Sequence, residues 1–229
     1  MKRTWIVPAA VLLCLASVVA AEPISKDVYK LMGLKVKDVL TGPILTSRVL
    51  PGMSNDPKQV VALVTYMTGK REENNAVNVR LEVMRKEGDG GLVSLYSRDF
   101  GKDNGGFVGH GDIELVDLDG DGVNEIIVTY DSYKDPLITE RRAEVLMQEG
   151  GTFSTAWTGE VEYDATKAVR TVPQERRDRY TRALDIPATL KTRGVTLMVK
   201  KTMLAVAGER LEQPKVVQET FPLRGAAPS

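Results

Sequence analysis

The sequence is poor in the side chains that carry most transition-metal and nucleophilic chemistry. It holds one histidine, His110, and one cysteine, Cys14. A zinc site of imidazole and thiolate ligands needs three or four such groups, so that class is excluded. A Cys–His nucleophilic pair is excluded as well, because Cys14 sits in an apolar N-terminal run far from His110. No serine lies in a Gly-x-Ser-x-Gly elbow or a comparable catalytic context. Net charge is also missing: 31 Lys+Arg balance 31 Asp+Glu. That balance excludes a dedicated nucleic-acid binder, which carries a strongly basic domain. Any bound metal must take oxygen ligands, and is therefore a hard cation such as Ca²⁺ or Mg²⁺.

What is present begins with a leader-like terminus. Met1-Lys2-Arg3 precedes an apolar stretch from Trp5 to Ala21, ending in Val19-Ala20-Ala21 before Glu22-Pro23. A basic start, an apolar centre and a small-residue site describe a signal peptide over residues 1–21, cleaved after Ala21. The expected location is secreted or periplasmic, with no stable membrane insertion once the leader is gone. The mature chain would carry no cysteine, so an exported domain without disulfides could use a metal as its staple.

The rest reads as mainly β. Residues 22–58 form a mixed N-terminal segment. Val60–Tyr66, Val77–Met84 and Leu92–Tyr96 are β-rich runs, the last two joined by Gly88-Asp89-Gly90-Gly91. Ile113–Val116, Ile126–Tyr130, Ala143–Met147 and Phe153–Trp157 follow. Val64-Thr65-Tyr66 recurs as Val128-Thr129-Tyr130, and Leu81-Glu82-Val83-Met84 as Ala143-Glu144-Val145-Leu146. Residues 59–164 therefore read as two degenerate copies of an antiparallel unit of about 60 residues, within the period range of blade repeats. Residues 165–229 read as a basic C-terminal section packed on that domain. It has a short helix over Pro173–Leu184, bearing Arg176, Arg177, Arg179 and Arg182, and then strands over Val195–Val199, Met203–Val206 and Lys215–Phe221. Residues 22–164 hold 16 basic and 25 acidic side chains, whereas residues 165–229 hold 13 and 6. Complementary fields between the two parts are the simplest reading of that split.

The most specific chemistry lies in Asp117-Leu118-Asp119-Gly120-Asp121-Gly122-Val123-Asn124-Glu125. Alternating carboxylates at Asp117, Asp119 and Asp121 converge in a tight loop, Gly120 and Gly122 allow the backbone to turn, and Glu125 closes the set. With the Val123 carbonyl this makes an all-oxygen cage suited to Ca²⁺. An EF-hand would need a bidentate Glu where Val128 stands, and helices where β-branched runs flank the loop.

An Asp-Leu-Asp-Gly-Asp-Gly-x-x-Glu loop between two strands resembles the FG-GAP/VCBS repeat of integrin-α-like β-propellers. The resemblance covers about fifteen residues of one unit. It implies a propeller-blade-like sheet, Ca²⁺ as cofactor, and ligands at Asp117, Asp119, Asp121, Val123 (carbonyl) and Glu125. Two departures stand out: Glu125 replaces the family's usual Asp, and Thr129-Tyr130-Asp131 stands where the naming tripeptide would follow. The first unit has only Asn55-Asp56-Pro57 at the equivalent turn, so no metal is expected there. Two units cannot close a propeller of roughly 4–8 blades, so the C-terminal strands are expected to cover the place of a third.

The expected function is an exported calcium-binding module with a structural ion, binding a protein or polysaccharide partner, with oligomerisation open. An exported hydrolase acting on polysaccharide or phosphate ester is the alternative, as is an assembly subunit docking through the basic C-terminal surface. His110, in Gly109-His110-Gly111-Asp112, is read chiefly as a turn residue. Tyr96 and Trp157 are read as core or edge aromatics, with a sugar platform as the second reading.

Overall fold

The computed structural model describes residues 31, 46–53, 56–68, 76–88, 90–103, 108–133, 135–192 and 195–223. The leader over residues 1–21, most of residues 22–45 and the C-terminal tail lie outside the described residues.

Among the described residues, eleven strands run up and down along the chain. Strands β1 (Thr46–Met53), β2 (Asp56–Thr68), β3 (Ala76–Lys86) and β4 (Leu92–Asp99) form a four-stranded antiparallel sheet in that order. A single helical turn, α1 (Phe100–Asp103), leads to a seven-stranded antiparallel sheet. Its strands are β5 (Val108–Val116), β6 (Glu125–Ser132), β7 (Thr139–Glu149), β8 (Thr152–Asp164), β9 (Arg179–Leu184), β10 (Thr196–Val206) and β11 (Glu209–Pro222), also in chain order. Helix α2 (Ile186–Lys191) lies between β9 and β10. Asp185 caps it by accepting from the Ala188 N–H at 3.1 Å, and Pro187 occupies its first turn. A mainly β, antiparallel architecture is what the alternating runs predict.

Two buried clusters share β6 and β7. In the first, Val61, Leu63, Val79, Leu81 and Val83 of the four-stranded sheet meet Ile113, Ile126, Val128, Tyr130 and Leu146 of the other. In the second, Ile127, Ala143, Val145 and Trp157 point the opposite way and meet Leu197, Val199 and Leu223. Strand side chains alternate between faces, so a strand between two cores must be apolar at successive positions. Ile126-Ile127-Val128 meets that demand, and all three are buried.

The internal repeat has a counterpart in pairing geometry. Val83 stands opposite Tyr96 and Val145 opposite Trp157. The register then slips by one residue immediately after each, between Val83 and Met84 and between Val145 and Leu146. The same irregularity at the same place in β3–β4 and β7–β8 exceeds what shared hairpin composition requires. Tyr96 packs on Phe153 at 5.4 Å between ring centres, and Trp157 packs on Phe221 at 5.7 Å. Each aromatic thus fills the layer that follows its own unit. Trp157 is only 6% exposed, which makes it a core residue and removes it as a sugar platform.

Several boundaries differ from expectation. The first unit begins at β1, inside the segment assigned to residues 22–58. The helix expected over Pro173–Leu184 is instead a 3₁₀ turn, Gln174–Arg176, followed by β9. Pro173 satisfies a helix start, but Tyr180 is buried while Arg179 and Thr181 are exposed, an alternation of period 2. Val195–Val199 and Met203–Val206 belong to one strand, β10. The C-terminal section is not a separate body laid on the repeats: β9 pairs with β8, so the same sheet continues into it.

Candidate metal centre

The loop between β5 and β6 is built by its own side chains before any ion is considered. Gly120 and Gly122 have φ of 77° and 86°, values that side-chain-bearing residues rarely adopt. Asp117 accepts from the Gly120 N–H at 2.7 Å and, with its other oxygen, from the Gly122 N–H at 3.0 Å. Asp119 accepts from the Asp121 N–H at 3.1 Å, and Asp121 from the Val123 N–H at 2.8 Å. These short-range bonds curl the backbone so that the carboxylates converge.

Ligand-capable oxygens of Asp117, Asp119 and Glu125 all lie within 4.8 Å of one another. Of the five residues assigned from sequence, these three are brought together. Asp121 is more exposed and lies at the rim. The Val123 side chain packs against the first core, which anchors the far side of the loop.

Glu125 is the buried member, only 2% exposed. Its Oε2 accepts from the Leu118 N–H at 2.5 Å, closing the loop across its base. Burial pushes its carboxyl up to about 7; the Leu118 bond opposes this, and the charges of Asp119, Asp121 and Asp117 add to the rise. A hard divalent cation among these oxygens would offset both the burial and the repulsion. Three carboxylates within that reach could supply part of the oxygen shell that a hard divalent cation such as Ca²⁺ takes, so the donor chemistry is compatible with such an ion.

Sequence reasoning assigned no role to Leu118. It sits between two of the proposed ligands, is fully buried and belongs to the second core. An apolar residue at the second place of an acidic loop is a signal that could have revealed this, since a solvated turn would not require one. Leu190 of α2 lies beside the loop: a Cβ added at Gly120 would stand 3.8 Å from its Cδ2.

His110 is remote from this centre. Six residues of β5, Gly111 to Val116, separate it from Asp117, about 20 Å of extended chain. It has φ 45°, is exposed, and lies in the irregularity between Gly109 and Asp112. The neighbouring Gly111 enters the space between the sheets, where an added Cβ would lie 2.7 Å from both Leu63 and Val79. His110 is thus the outward residue of a bulge whose inward residue must be glycine.

In the first unit, Asp56 at the start of β2 forms an ion pair with Arg85 of β3. Asp56 accepts from the Lys58 N–H at 3.0 Å and from Arg85 Nε at 2.8 Å, and the Arg85 guanidinium chiefly holds its carboxyl below the usual range. Three of the four arginines singled out in the C-terminal section, Arg177, Arg179 and Arg182, also have partners within the chain. Arg182 bonds Glu219 at 2.7 Å and Glu160 at 3.2 Å, Arg179 stands 3.4 Å from Asp164, and Arg177 bonds the Val172 and Val169 carbonyls. Their partners Glu160 and Asp164 belong to the acidic part of the chain, as complementary fields require.

Two surface depressions lie away from the loop. One of about 490 Å³ is lined by residues that include Arg179, Leu204, Arg210 and Pro214. Another of about 570 Å³ includes Asp56, Lys58, Gln59 and Arg85. Neither is lined by a carboxylate of the acidic loop. No helix among the described residues is long and apolar enough to cross a membrane. No protein-family model matches the chain, and no curated protein or solved structure matches it.

Proposed function

We propose that this chain is an exported calcium-binding module, with one Ca²⁺ held by Asp117, Asp119, Asp121, the Val123 carbonyl and Glu125. The observation that carries this reading is the convergence of Asp117, Asp119 and Glu125 oxygens within 4.8 Å, with Glu125 buried beneath them. The ion's role is structural. The loop is a turn between two adjacent strands, and Leu118 ties it to the second core, so the ion fixes how β5, β6 and the C-terminal strands meet.

The same reading treats the two units as blade-like layers of FG-GAP/VCBS type. Three observations support it. The repeat units share one bulge position, the acidic loop joins the first two strands of the second unit, and β10 and β11 supply Leu197, Val199 and Phe221 where a third layer would stack. The module acts by binding or scaffolding, for a protein or polysaccharide partner outside the cytoplasm.

Thermal unfolding with Ca²⁺ and with EDTA tests the site. At tenfold excess over the dissociation constant, ligand binding adds about 1.4 kcal/mol. For a chain of this size that raises Tm by about 3–5 °C. Asp119→Ala with Asp121→Ala removes the rise. An unchanged calcium response in that double variant would place the ion elsewhere.

A further inference from the structure

The four sheet edges are not equivalent. β5 lies against β1, β2 and β3, and β4 lies against β8, so three of the four outer strands also serve the contact between sheets. β11 differs. Eleven of its fourteen residues are exposed, its one strand partner among the described residues is β10, and its contact with β8 includes Phe221 against Trp157 near its C-terminal end. Val216 and Val217 are 54% and 39% exposed at adjacent positions on opposite faces. A long exposed edge with apolar side chains is a template for another strand.

Pro214 and Pro222 bracket the segment that can pair, leaving Lys215-Val216-Val217-Gln218-Glu219-Thr220-Phe221. This segment is self-complementary in one register. When two copies run antiparallel about Val217, each Lys215 faces the other copy's Glu219, Val217 faces Val217, and Val216 faces Gln218. Shifting the centre to Val216 or Gln218, or between residues, loses both Lys–Glu pairs. Opposite charges directly across an antiparallel pair stabilise it, and like charges oppose it. Within its own chain Glu219 pairs with Arg182 at 2.7 Å and lies 3.8 Å from Lys201, so Lys215 of the second copy would join an existing charge network rather than meet a free carboxylate.

We propose that β11 is a self-pairing edge through which two copies of this chain join antiparallel about Val217. The two seven-stranded sheets then become one continuous sheet, with the strand pair on the twofold axis. A seven-residue strand pair falls below the roughly 1,200 Å² at which stable interfaces begin, so the dimer is reversible and grows with protein concentration.

Cysteine cross-linking reads the register directly, using the chain with Cys14→Ser so that the introduced thiol stands alone. Val217→Cys is expected to form disulfide-linked dimers under mild oxidation, because the two thiols face each other across the axis. Val216→Cys and Gln218→Cys are each expected to stay largely uncross-linked alone, and to cross-link when mixed. Sedimentation velocity gives the second arm. Lys215→Glu should shift the chain toward monomer, as should Glu219→Lys, and an equal mixture of the two should recover the dimer because both ion pairs are restored. Circular dichroism of each variant checks that the monomer remains folded. A monomer at every concentration, or Val217→Cys dimers no more abundant than those of Val93→Cys on β4, would overturn the proposal.

Discussion

Leu118 gives the acidic loop its structural consequence. Its side chain is fully buried in the second core while its N–H is bound by Glu125. Leu118→Ala should therefore cost about 2–5 kcal/mol, as buried leucine truncations do, and chemical denaturation measures it. The same variant should weaken Ca²⁺ binding although no ligand atom is removed, because the loop loses its anchor. A loss confined to stability, with calcium affinity intact, would show that loop and core are independent. At a second buried site, Glu144 is 2% exposed, pairs with Arg98 at 2.7 Å and accepts from the Tyr130 hydroxyl at 3.0 Å. Arg98→Met should cost about 3–5 kcal/mol by leaving that carboxylate unpaired, and Arg98→Met with Glu144→Gln should cost less than the single change. The acidic loop was legible in the residues because alternating Asp and Gly at fixed spacing marks a tight turn that gathers carboxylates, and Asp117, Asp119 and Glu125 do converge. Glu144 was not, since nothing local marks a mid-strand glutamate as buried when its partner Arg98 lies 46 positions away.

Elements were legible where alternation was strong. The runs from Val60 to Trp157 all fall inside observed strands. The failure at Pro173–Leu184 has a physical cause. Proline at the start and arginines at short spacing satisfy helix rules locally, but β8 and β10 offer two strand edges, and pairing with both outweighs a weak helix preference. Ala183 is an exposed position on β9, paired with Lys200. Ala183→Thr should be neutral or stabilising by up to about 0.5 kcal/mol in a strand, whereas a helix would lose a similar amount. Equilibrium unfolding of that one variant separates the two structures. Helix α2 escaped notice for the opposite reason: at six residues it is too short to show periodicity, and its cap Asp185 and Pro187 resemble any loop.

Over the whole molecule, the chain stacks layers head to tail. The face of the first unit bearing Leu81 and Val83 packs on the second unit, and the equivalent face of the second, bearing Ala143 and Val145, packs on β10 and the end of β11. The final strands therefore cover a core as well as extend a sheet. Deleting residues 185–229 should expose Trp157, Val145 and Ile127 together, yielding a species that binds hydrophobic dye and unfolds without cooperativity. A truncated chain that melted cooperatively would mean the second core is dispensable. The sequence carried the repeat and the charge split, but not that the C-terminal part joins by strand pairing, because register across β8–β9 is set by three residues per strand and leaves no periodic signal.

The proposed calcium ion belongs in the loop from Asp117 to Glu125. Isothermal titration calorimetry of Ca²⁺ into the full chain tests that placement most directly. A single site per chain is expected, with a dissociation constant on the order of 10⁻⁴–10⁻³ M, as in extracellular modules. No binding heat is expected in the variant carrying Asp119→Ala and Asp121→Ala. Absence of binding to the unaltered chain, or equal binding to both, would contradict that placement.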